Sequence, residues 1–156
     1  MKIGAHFSIA GGIVKAIERA IAANAECMQI FVSNPRAWAT PTISDAEAEA
    51  FKSAKIDSPI KQVIAHMPYL PNISSPDKFI FRKSIKLLKQ NIDAAEKINA
   101  DYYIIHPGHS IDGNIEKALK RCADAINILI SNTAKIPIII ENTAFQGTEI
   151  GATFYQ

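Results

Sequence analysis

The sequence predicts an α/β fold built on a parallel sheet, and two observations support this prediction. Short apolar runs that suit buried strands alternate with longer stretches that carry apolar residues at helical spacing. Neighbouring parallel strands cannot be joined by a tight hairpin, so each pair needs a crossover, which a helix supplies. The predicted order is therefore βαβαβαβαβ, with four βα units followed by a fifth strand.

The predicted strands are five short apolar runs. They are Lys2 to Ala5, Cys27 to Val32, Gln62 to Ala65, Tyr102 to Ile105 and Ile136 to Ile140. Five strands in about 150 residues suit either a small doubly wound sheet or the first part of a closed (βα)8 barrel. Periodicity alone leaves both alternatives open.

The first two helices follow from an apolar face and from a capping pattern. The first helix carries four apolar residues on one face: Ile13, Ile17, Ala20 and Ile21. The second opens at Ser44 and Glu47, which form a capping box because each satisfies a backbone N–H of the other. It then runs toward Lys55.

The third and fourth helices show the same helical spacing. The third is predicted to start with Ser75 as N-cap and Pro76 in the first turn. Its inward residues are Phe81, Ile85, Leu88, Ile92 and Ala95. The fourth begins near Asn114 and turns six residues inward: Ile115, Ala118, Leu119, Cys122, Ile126 and Leu129. We expect the lysines between Lys78 and Lys89 to lie on the outer face of the third helix and to keep it solvated.

Composition excludes two classes of chain. The 156 residues are 48% hydrophobic, with 17 basic and 15 acidic side chains and a formal net charge of +2. A disordered chain needs lower hydrophobicity and more net charge, and a membrane span needs roughly 18 uninterrupted apolar residues. We expect one domain over residues 1–156 and no membrane association. A charge of +2 does not by itself attract nucleic acid, so a DNA-binding prediction has to rest on particular residues.

The two cysteines indicate neither a zinc knuckle nor a disulfide framework. Cys27 and Cys122 are far apart, without a CxxC pattern or a nearby histidine. We expect both to be reduced core residues. The first residues do not resemble a secretion signal. The expected location is therefore cytoplasmic.

Candidate ligand residues stand directly after the predicted strands, where parallel α/β folds bind ligands. His66, His106 and Glu141 end strands three, four and five. Because neighbouring strands lie about 4.8 Å apart, we expect these side chains to converge. Two imidazoles and one carboxylate with an open position form the ligand set of a catalytic zinc. Taken singly, each residue has an ordinary alternative as a hydrogen-bonded histidine or an ion-paired carboxylate.

Four further positions have open alternatives. His6 follows the first strand and either orients a ligand or fills a polar site mouth. His109 is a hydrogen-bond partner of a ligand, a ligand itself, or a solvated side chain, of which we favour the last. Arg36 suits a phosphate contact or a solvated position beside a packed tryptophan. Tyr69 and Leu70 suit a wedge into a base stack or local loop packing.

Five motifs occur in the order and spacing of the endonuclease IV family, whose members are apurinic/apyrimidinic DNA-repair enzymes. They are Gly4-Ala5-His6-Phe7-Ser8 with Ala10-Gly11-Gly12, Asn34-Pro35-Arg36-Ala37-Trp38, His66-Met67-Pro68-Tyr69-Leu70-Pro71-Asn72, His106-Pro107-Gly108 and Glu141-Asn142-Thr143-Ala144. The match spans essentially the whole chain. The sequence therefore resembles the N-terminal part of an endonuclease IV.

The resemblance implies a partial (βα)8 TIM barrel with a zinc site at its C-terminal mouth. In the family, a cluster of three zinc ions serves the zinc-dependent hydrolysis of the phosphodiester 5′ to an abasic site in double-stranded DNA, giving a 3′-hydroxyl. His66, His106 and Glu141 match zinc ligands, and Glu141, which bridges to a second metal, is the catalytic residue that the match implies.

The resemblance also implies a set of DNA contacts. Arg36, Tyr69 and Leu70 match residues that enter the DNA stack while the abasic nucleotide is flipped out. Such insertion costs a few kcal/mol of unstacking, and least where a base is already missing. This difference is one physical source of selectivity for damaged DNA.

Two departures from the family pattern bear on function. The family usually has Ser before His after the His-Pro-Gly motif, whereas here His109 precedes Ser110. The family's remaining ligands would lie beyond Gln156, so at most one zinc site is expected to be complete. We expect a fragment of a longer protein, a chain that works with a complementary chain or self-associates through exposed barrel edges, or an inactive remnant. The alternative functions are a metal-dependent sugar isomerase or epimerase on a related barrel, and a noncatalytic remnant.

Overall fold

The computed structural model describes residues 1–132, 135–153 and 155–156. Five strands are formed: β1 (Gly4–His6), β2 (Cys27–Phe31), β3 (Gln62–His66), β4 (Tyr102–Ile105) and β5 (Ile138–Ile140). Four helices alternate with them: α1 (Val14–Ala22), α2 (Asp45–Ile56), α3 (Lys78–Lys97) and α4 (Ile115–Asn132). The element order is the predicted one, and the strand ends differ from the prediction by up to two residues.

The five strands form one parallel sheet in the order β1-β2-β3-β4-β5. A doubly wound sheet reverses its strand order at a switch point, whereas a (βα)8 barrel adds each strand beside the last. The sequential order therefore resolves the open alternative. The predicted α/β fold with a partial barrel, four βα units and a fifth strand, is confirmed.

The two faces of the sheet differ in burial. Met28, Ile30, Val63 and Tyr103 point to the helix layer and are at most 1% exposed. Alternate residues such as Ile64 point to the opposite face and are only half-buried. The main core therefore lies between sheet and helices, and the inner barrel face is more open.

Helix α1 buries its predicted apolar face except at Ile21. Ile13, Ile17 and Ala20 are at most 4% exposed, but Ile21 is 43% exposed. In the helical projection, Ile21 lies at the opposite edge of the stripe from Ile13 and Ala20. Ile115, the first residue of α4, is likewise more exposed than predicted, at 41%.

The helix starts show one correct prediction and one error. At α2, the Ser44 and Glu47 side chains form the predicted capping box. At α3, the N-cap is Asp77 and not Ser75, because Asp77 Oδ1 accepts hydrogen bonds from the N–H groups of Phe79 and Ile80 at 2.7 and 3.1 Å. A carboxylate serves the positive helix N-terminus better than a hydroxyl. Ser75 Oγ instead accepts from the Asp77 N–H.

Both cysteines are free. Cys122 is buried, and burial raises the pKa of its thiol to about 11, so the thiol stays protonated near neutral pH. Cys27 is only half-buried. Of the helices in the described residues, none combines the length and the apolarity that crossing a bilayer would need.

Candidate metal centre

His66, His106 and Glu141 meet at the carboxyl edge of the sheet. His66 Nε2 lies 3.1 Å from His106 Nε2 and 3.0 Å from Glu141 Oε2. The same carboxylate oxygen lies 3.5 Å from His106 Nε2. One ligand atom from each residue can be chosen so that all lie within 4.8 Å of one another. The three side chains converge as the strand order predicts.

Strand register causes this convergence. His66 pairs with Ile104, which lies two residues before His106 and therefore on the same face of the sheet. The Glu141 N–H donates to the Ile105 carbonyl at 2.9 Å and continues the β4–β5 ladder past the end of β5. The carboxylate is thereby held level with the His106 ring.

The hydrogen bonding of His66 defines which ring nitrogen is available. Its Nδ1 lies 2.7 Å from the Met67 carbonyl, which can only accept, so Nδ1 carries the hydrogen. In the neutral ring, Nε2 then presents a lone pair to the Glu141 carboxylate and the His106 ring. Two electron-rich atoms at this separation repel unless a proton or a cation lies with them. A divalent cation satisfies all three groups, and a carbonyl behind the imidazole is a common partner of a metal-bound histidine.

The local electrostatics favour the metal-binding form of His106. Burial lowers its pKa below the usual 6.5, the nearby His66 lowers it further, and the carboxylates of Glu141 and Glu149 partly oppose this. A lowered pKa keeps the imidazole neutral near pH 7, and only the neutral ring binds a metal ion. His66 is 5% exposed, whereas the Glu141 side chain is 46% exposed. The cluster is thus anchored on one side and open on the other.

His6 lies beside the cluster and not within it. Its ring centroid is 6.3 Å from that of His66. Gln29 Nε2 donates to His6 Nδ1 at 3.0 Å, which leaves the hydrogen on Nε2. Burial, and then the charge of His66, lower the pKa of His6. This position suits the ligand-orienting alternative, a role that stays a prediction.

His109 is held by its main chain and exposes its side chain. Asn72 Oδ1 accepts from the His109 N–H at 3.0 Å, and Asn72 Nδ2 donates to the His109 carbonyl at 3.1 Å. His109 also forms an antiparallel bridge with Glu149. The side chain is exposed, as the favoured alternative expects.

Arg36, Tyr69 and Leu70 lie on two adjoining loops. Tyr69 is 60% exposed and Leu70 40%, so both present apolar surface to solvent. The Tyr69 N–H donates to the Pro35 carbonyl at 2.9 Å, so the two loops are hydrogen-bonded to each other. Arg36 is exposed next to that contact. The structure therefore brings the three predicted DNA contacts to one surface.

Phe31 and Glu149 are parts of the site that the sequence reading missed. The Phe31 ring lies 4.2 Å from the His6 ring, 5.3 Å from the His66 ring and 5.2 Å from the Tyr69 ring, measured between centroids. It thus links the histidines to the exposed loop. The period-two alternation of β2 places Phe31 on the inner face and is the signal that could have found it. Glu149 lies in a loop and has no comparable sequence signal.

The strands follow one another in sequence order, as in a (βα) barrel. A cluster of two histidines and one carboxylate at the carboxyl edge of such a sheet is typical of a metal-binding site. Comparison with known proteins agrees with this class. A family model described as a xylose isomerase-like TIM barrel matches residues 17–156. The chain belongs to this family.

Curated relatives and a crystal structure narrow the comparison. The chain is 35% identical over 155 residues to a probable endonuclease 4 of Halothermothrix orenii, covering 99% of the chain and 56% of that relative. A probable endonuclease 4 of Methanosphaerula palustris is 35% identical over 158 residues, with 99% and 55% covered. The crystal structure of endonuclease IV from Thermus thermophilus superposes with a TM-score of 0.80 at 28% identity, covering 96% of the chain and 55% of that structure. The resemblance to the endonuclease IV family is confirmed.

The chain spans about half the length of the curated relatives it matches. It also superposes on a D-tagatose 3-epimerase-like protein with a TM-score of 0.72 at 14% identity. At such low identity the likeness shows a shared fold alone. The epimerase likeness therefore does not favour the sugar isomerase alternative.

Proposed function

We propose that the protein acts in DNA repair as a zinc-dependent endonuclease that hydrolyses the phosphodiester 5′ to an abasic site in double-stranded DNA and leaves a 3′-hydroxyl. The observation that carries this proposal is the meeting of two imidazole Nε2 atoms and one carboxylate oxygen at 3.0 to 3.5 Å. The likeness to endonuclease IV proteins supports this reaction class. We place this activity in the cytoplasm, where both thiols stay reduced.

The residues of the cluster have separate roles in this proposal. His66 and His106 would hold zinc through Nε2, and the Met67 carbonyl fixes the His66 ring in the tautomer that this needs. A zinc ion supplies Lewis acidity, which neutralises the charge that develops on a phosphodiester under attack. Glu141 has two carboxylate oxygens and a half-exposed side chain, so it is able to bind a second cation as well. This bridging is its proposed catalytic role.

The exposed loops provide the contact with the lesion. Tyr69 and Leu70 present exposed apolar surface that would fill the gap left by a missing base, and the exposed Arg36 would bind a phosphate beside them. Phe31 supports the Tyr69 ring from beneath through its edge contact. The wedge and the metal cluster thus share one aromatic support.

The exposed edges of the sheet are where further protein surface would complete the barrel. A closed barrel takes about 250 residues. Strands β1 and β5 are the edges of the sheet, and the side chains of Ile3, Ile139 and Ile140 are 63%, 39% and 51% exposed. We propose that a complementary segment or a second copy covers these edges and adds the ligands for the further metal ions.

Metal analysis and a nicking assay test the proposal together. The substrate is a duplex with one tetrahydrofuran abasic analogue, and the expected product is a nick 5′ to the analogue that a chelator abolishes and zinc restores. His106→Ala should lose both zinc and nicking, whereas the control His109→Ala should keep both. Zinc binding without nicking would restrict the protein to the isomerase or noncatalytic alternatives. Nicking that survives complete zinc removal would contradict the proposed mechanism.

A further inference from the structure

From Lys78 to Ile92 the outer face of α3 carries cations and no carboxylate, and Asp93 follows on the same face four residues after Lys89. Between Asp77 and Asp93 the chain has five cations and no acidic residue: Lys78, Arg82, Lys83, Lys86 and Lys89. These five are part of a total of 17, so the rest of the chain has twelve cations against 15 carboxylates. The positive balance of the protein is therefore concentrated on one helix. We call these five residues the α3 basic strip.

The α3 basic strip is not neutralised by neighbouring side chains. In the part of the chain that the structure describes, none of its members forms an ion pair with a carboxylate. By contrast, Lys15, Lys52 and Lys120 on the other three helices all form ion pairs with acids on their own helix. A surface that only needs solvation usually interleaves both signs of charge. An unpaired strip of one sign is typical of a surface that meets a partner of opposite charge.

The α3 basic strip adjoins the loops of the proposed site. Lys83 Nζ lies 4.4 Å from the ring centroid of Trp38, which ends the loop that carries Arg36. That loop is bonded to the Tyr69 loop through the Pro35 carbonyl. Helix α3 also begins on the side of the sheet where β3 ends, as a crossover helix must. The strip therefore starts near the edge of the sheet that holds the metal cluster and continues along the outer wall toward the opposite edge.

We propose that the α3 basic strip is a second contact surface for duplex DNA, and that it binds phosphates of the strand flanking the lesion. This inference rests on the proposed function, because it takes DNA to be the substrate. From Lys78 to Lys89 the helix rises about 16 Å, which matches about half a turn of B-DNA. Such contacts fix the position and register of the protein without reading sequence.

Salt dependence of binding tests this inference. The double variant Arg82→Gln/Lys86→Gln removes two exposed charges of the strip. The control Lys2→Gln/Lys61→Gln removes the same charge from two exposed lysines that precede β1 and β3, at the opposite end of the sheet. Binding to a labelled undamaged duplex is followed by fluorescence anisotropy in the presence of a chelator. The slope of log K against log[salt] should fall by about 2 for the strip variant, with roughly tenfold weaker binding at low salt, and change little for the control.

Several outcomes would overturn the inference. They are an unchanged slope in the strip variant, an equal loss in the control, and no duplex binding by the unmodified protein. Stronger competition by poly-glutamate than by unlabelled duplex at equal charge concentration would overturn the DNA assignment in favour of an acidic protein partner. Because the assay uses undamaged DNA without metal, it gives its answer even if the nicking assay fails. Circular dichroism of each variant shows that the fold is kept.

Discussion

The side-chain amide of Asn72 holds the main chain of His109 on both sides, through bonds of 3.0 Å from the His109 N–H and 3.1 Å to the His109 carbonyl. Asn72 Oδ1 also accepts from the Ser74 N–H at 3.0 Å. The residue is 6% exposed and follows Leu70 by two positions. One amide thus joins the loop of the proposed wedge to the loop that follows His106.

Replacement of Asn72 should therefore destabilise the site and the fold together. Asn72→Ala leaves the buried Ser74 N–H and the part-buried His109 N–H and carbonyl without these partners, and we expect a loss of about 1–3 kcal/mol in the free energy of unfolding. The control is Asn34→Ala, because Asn34 is exposed and its Oδ1 accepts only in a surface turn, from Arg36 N at 2.9 Å. It should cost less than about 0.5 kcal/mol. Urea denaturation measures the free energy of unfolding of both variants. Equal losses would contradict the role of Asn72 as an amide clamp, meaning the side-chain amide that bonds both main-chain groups of His109.

Gly108 should tolerate a methyl group far less well than Gly113. Both have positive φ, of 101° and 70°, so alanine at either position is strained by about 1–2 kcal/mol. A Cβ on Gly108 would overlap Asn72 Oδ1, whereas one on Gly113 would meet nothing within 4 Å. We expect Gly108→Ala to lower the free energy of unfolding by at least about 2 kcal/mol more than Gly113→Ala, as read by thermal unfolding. Similar losses of stability in the two variants would show that the loop at Gly108 accommodates a methyl group, contrary to this prediction.

The hydroxyl group of Tyr103 is buried in the core. Within the described residues it has no hydrogen-bond partner, and complete burial raises the pKa of the phenol. Removing an unsatisfied polar atom from a core avoids its desolvation cost, so Tyr103→Phe should raise the free energy of unfolding by about 1 kcal/mol. Tyr102→Phe, at a half-buried position on the opposite face, should stay within about 0.5 kcal/mol. Chemical denaturation measures the free energy of unfolding of both variants. A destabilised Tyr103→Phe would show that the hydroxyl has a hydrogen-bond partner and would contradict this prediction.

The metal-free protein should lose stability as pH falls below 6.5. In the native state the pKa values of His6 and His106 lie below 6.5, so the unfolded chain takes up protons first. Stability is unaffected by these groups above pH 6.5, falls as pH drops through the window below it, and levels once the native imidazoles are protonated. His106→Gln should make the decline below pH 6.5 shallower. Denaturation in chelator across this range provides the test, and a rise in stability there would have the wrong sign.

The sequence predicted the architecture well because its signals are local. Apolar runs and helical spacing located the nine elements of the described residues, and the sequential strand order placed three candidate ligands at one edge. Errors occurred where two local signals compete. Ser75 and Asp77 are both acceptable N-cap residues. Only the hydrogen bonds in the folded structure show that Asp77 is the N-cap.

The finer features of the site depend on contacts between distant segments. The amide clamp joins Asn72 to His109 across 37 positions, and no periodicity encodes it. The Met67 carbonyl that orients His66 becomes visible only once the backbone is built. The hydrogen bond from the Glu141 N–H to the Ile105 carbonyl, which places Glu141 beside His106, is likewise a contact between distant segments.

Zinc titration of the chain tests the central claim most directly. Competition with a chromophoric chelator at neutral pH should show one tightly bound zinc per chain, because one cluster of three ligands is present in the described residues. His66→Gln and His106→Gln should abolish this binding, and His109→Gln should leave it unchanged. Tight zinc binding that persists in both His66→Gln and His106→Gln, or its absence from the unmodified protein, would contradict the account.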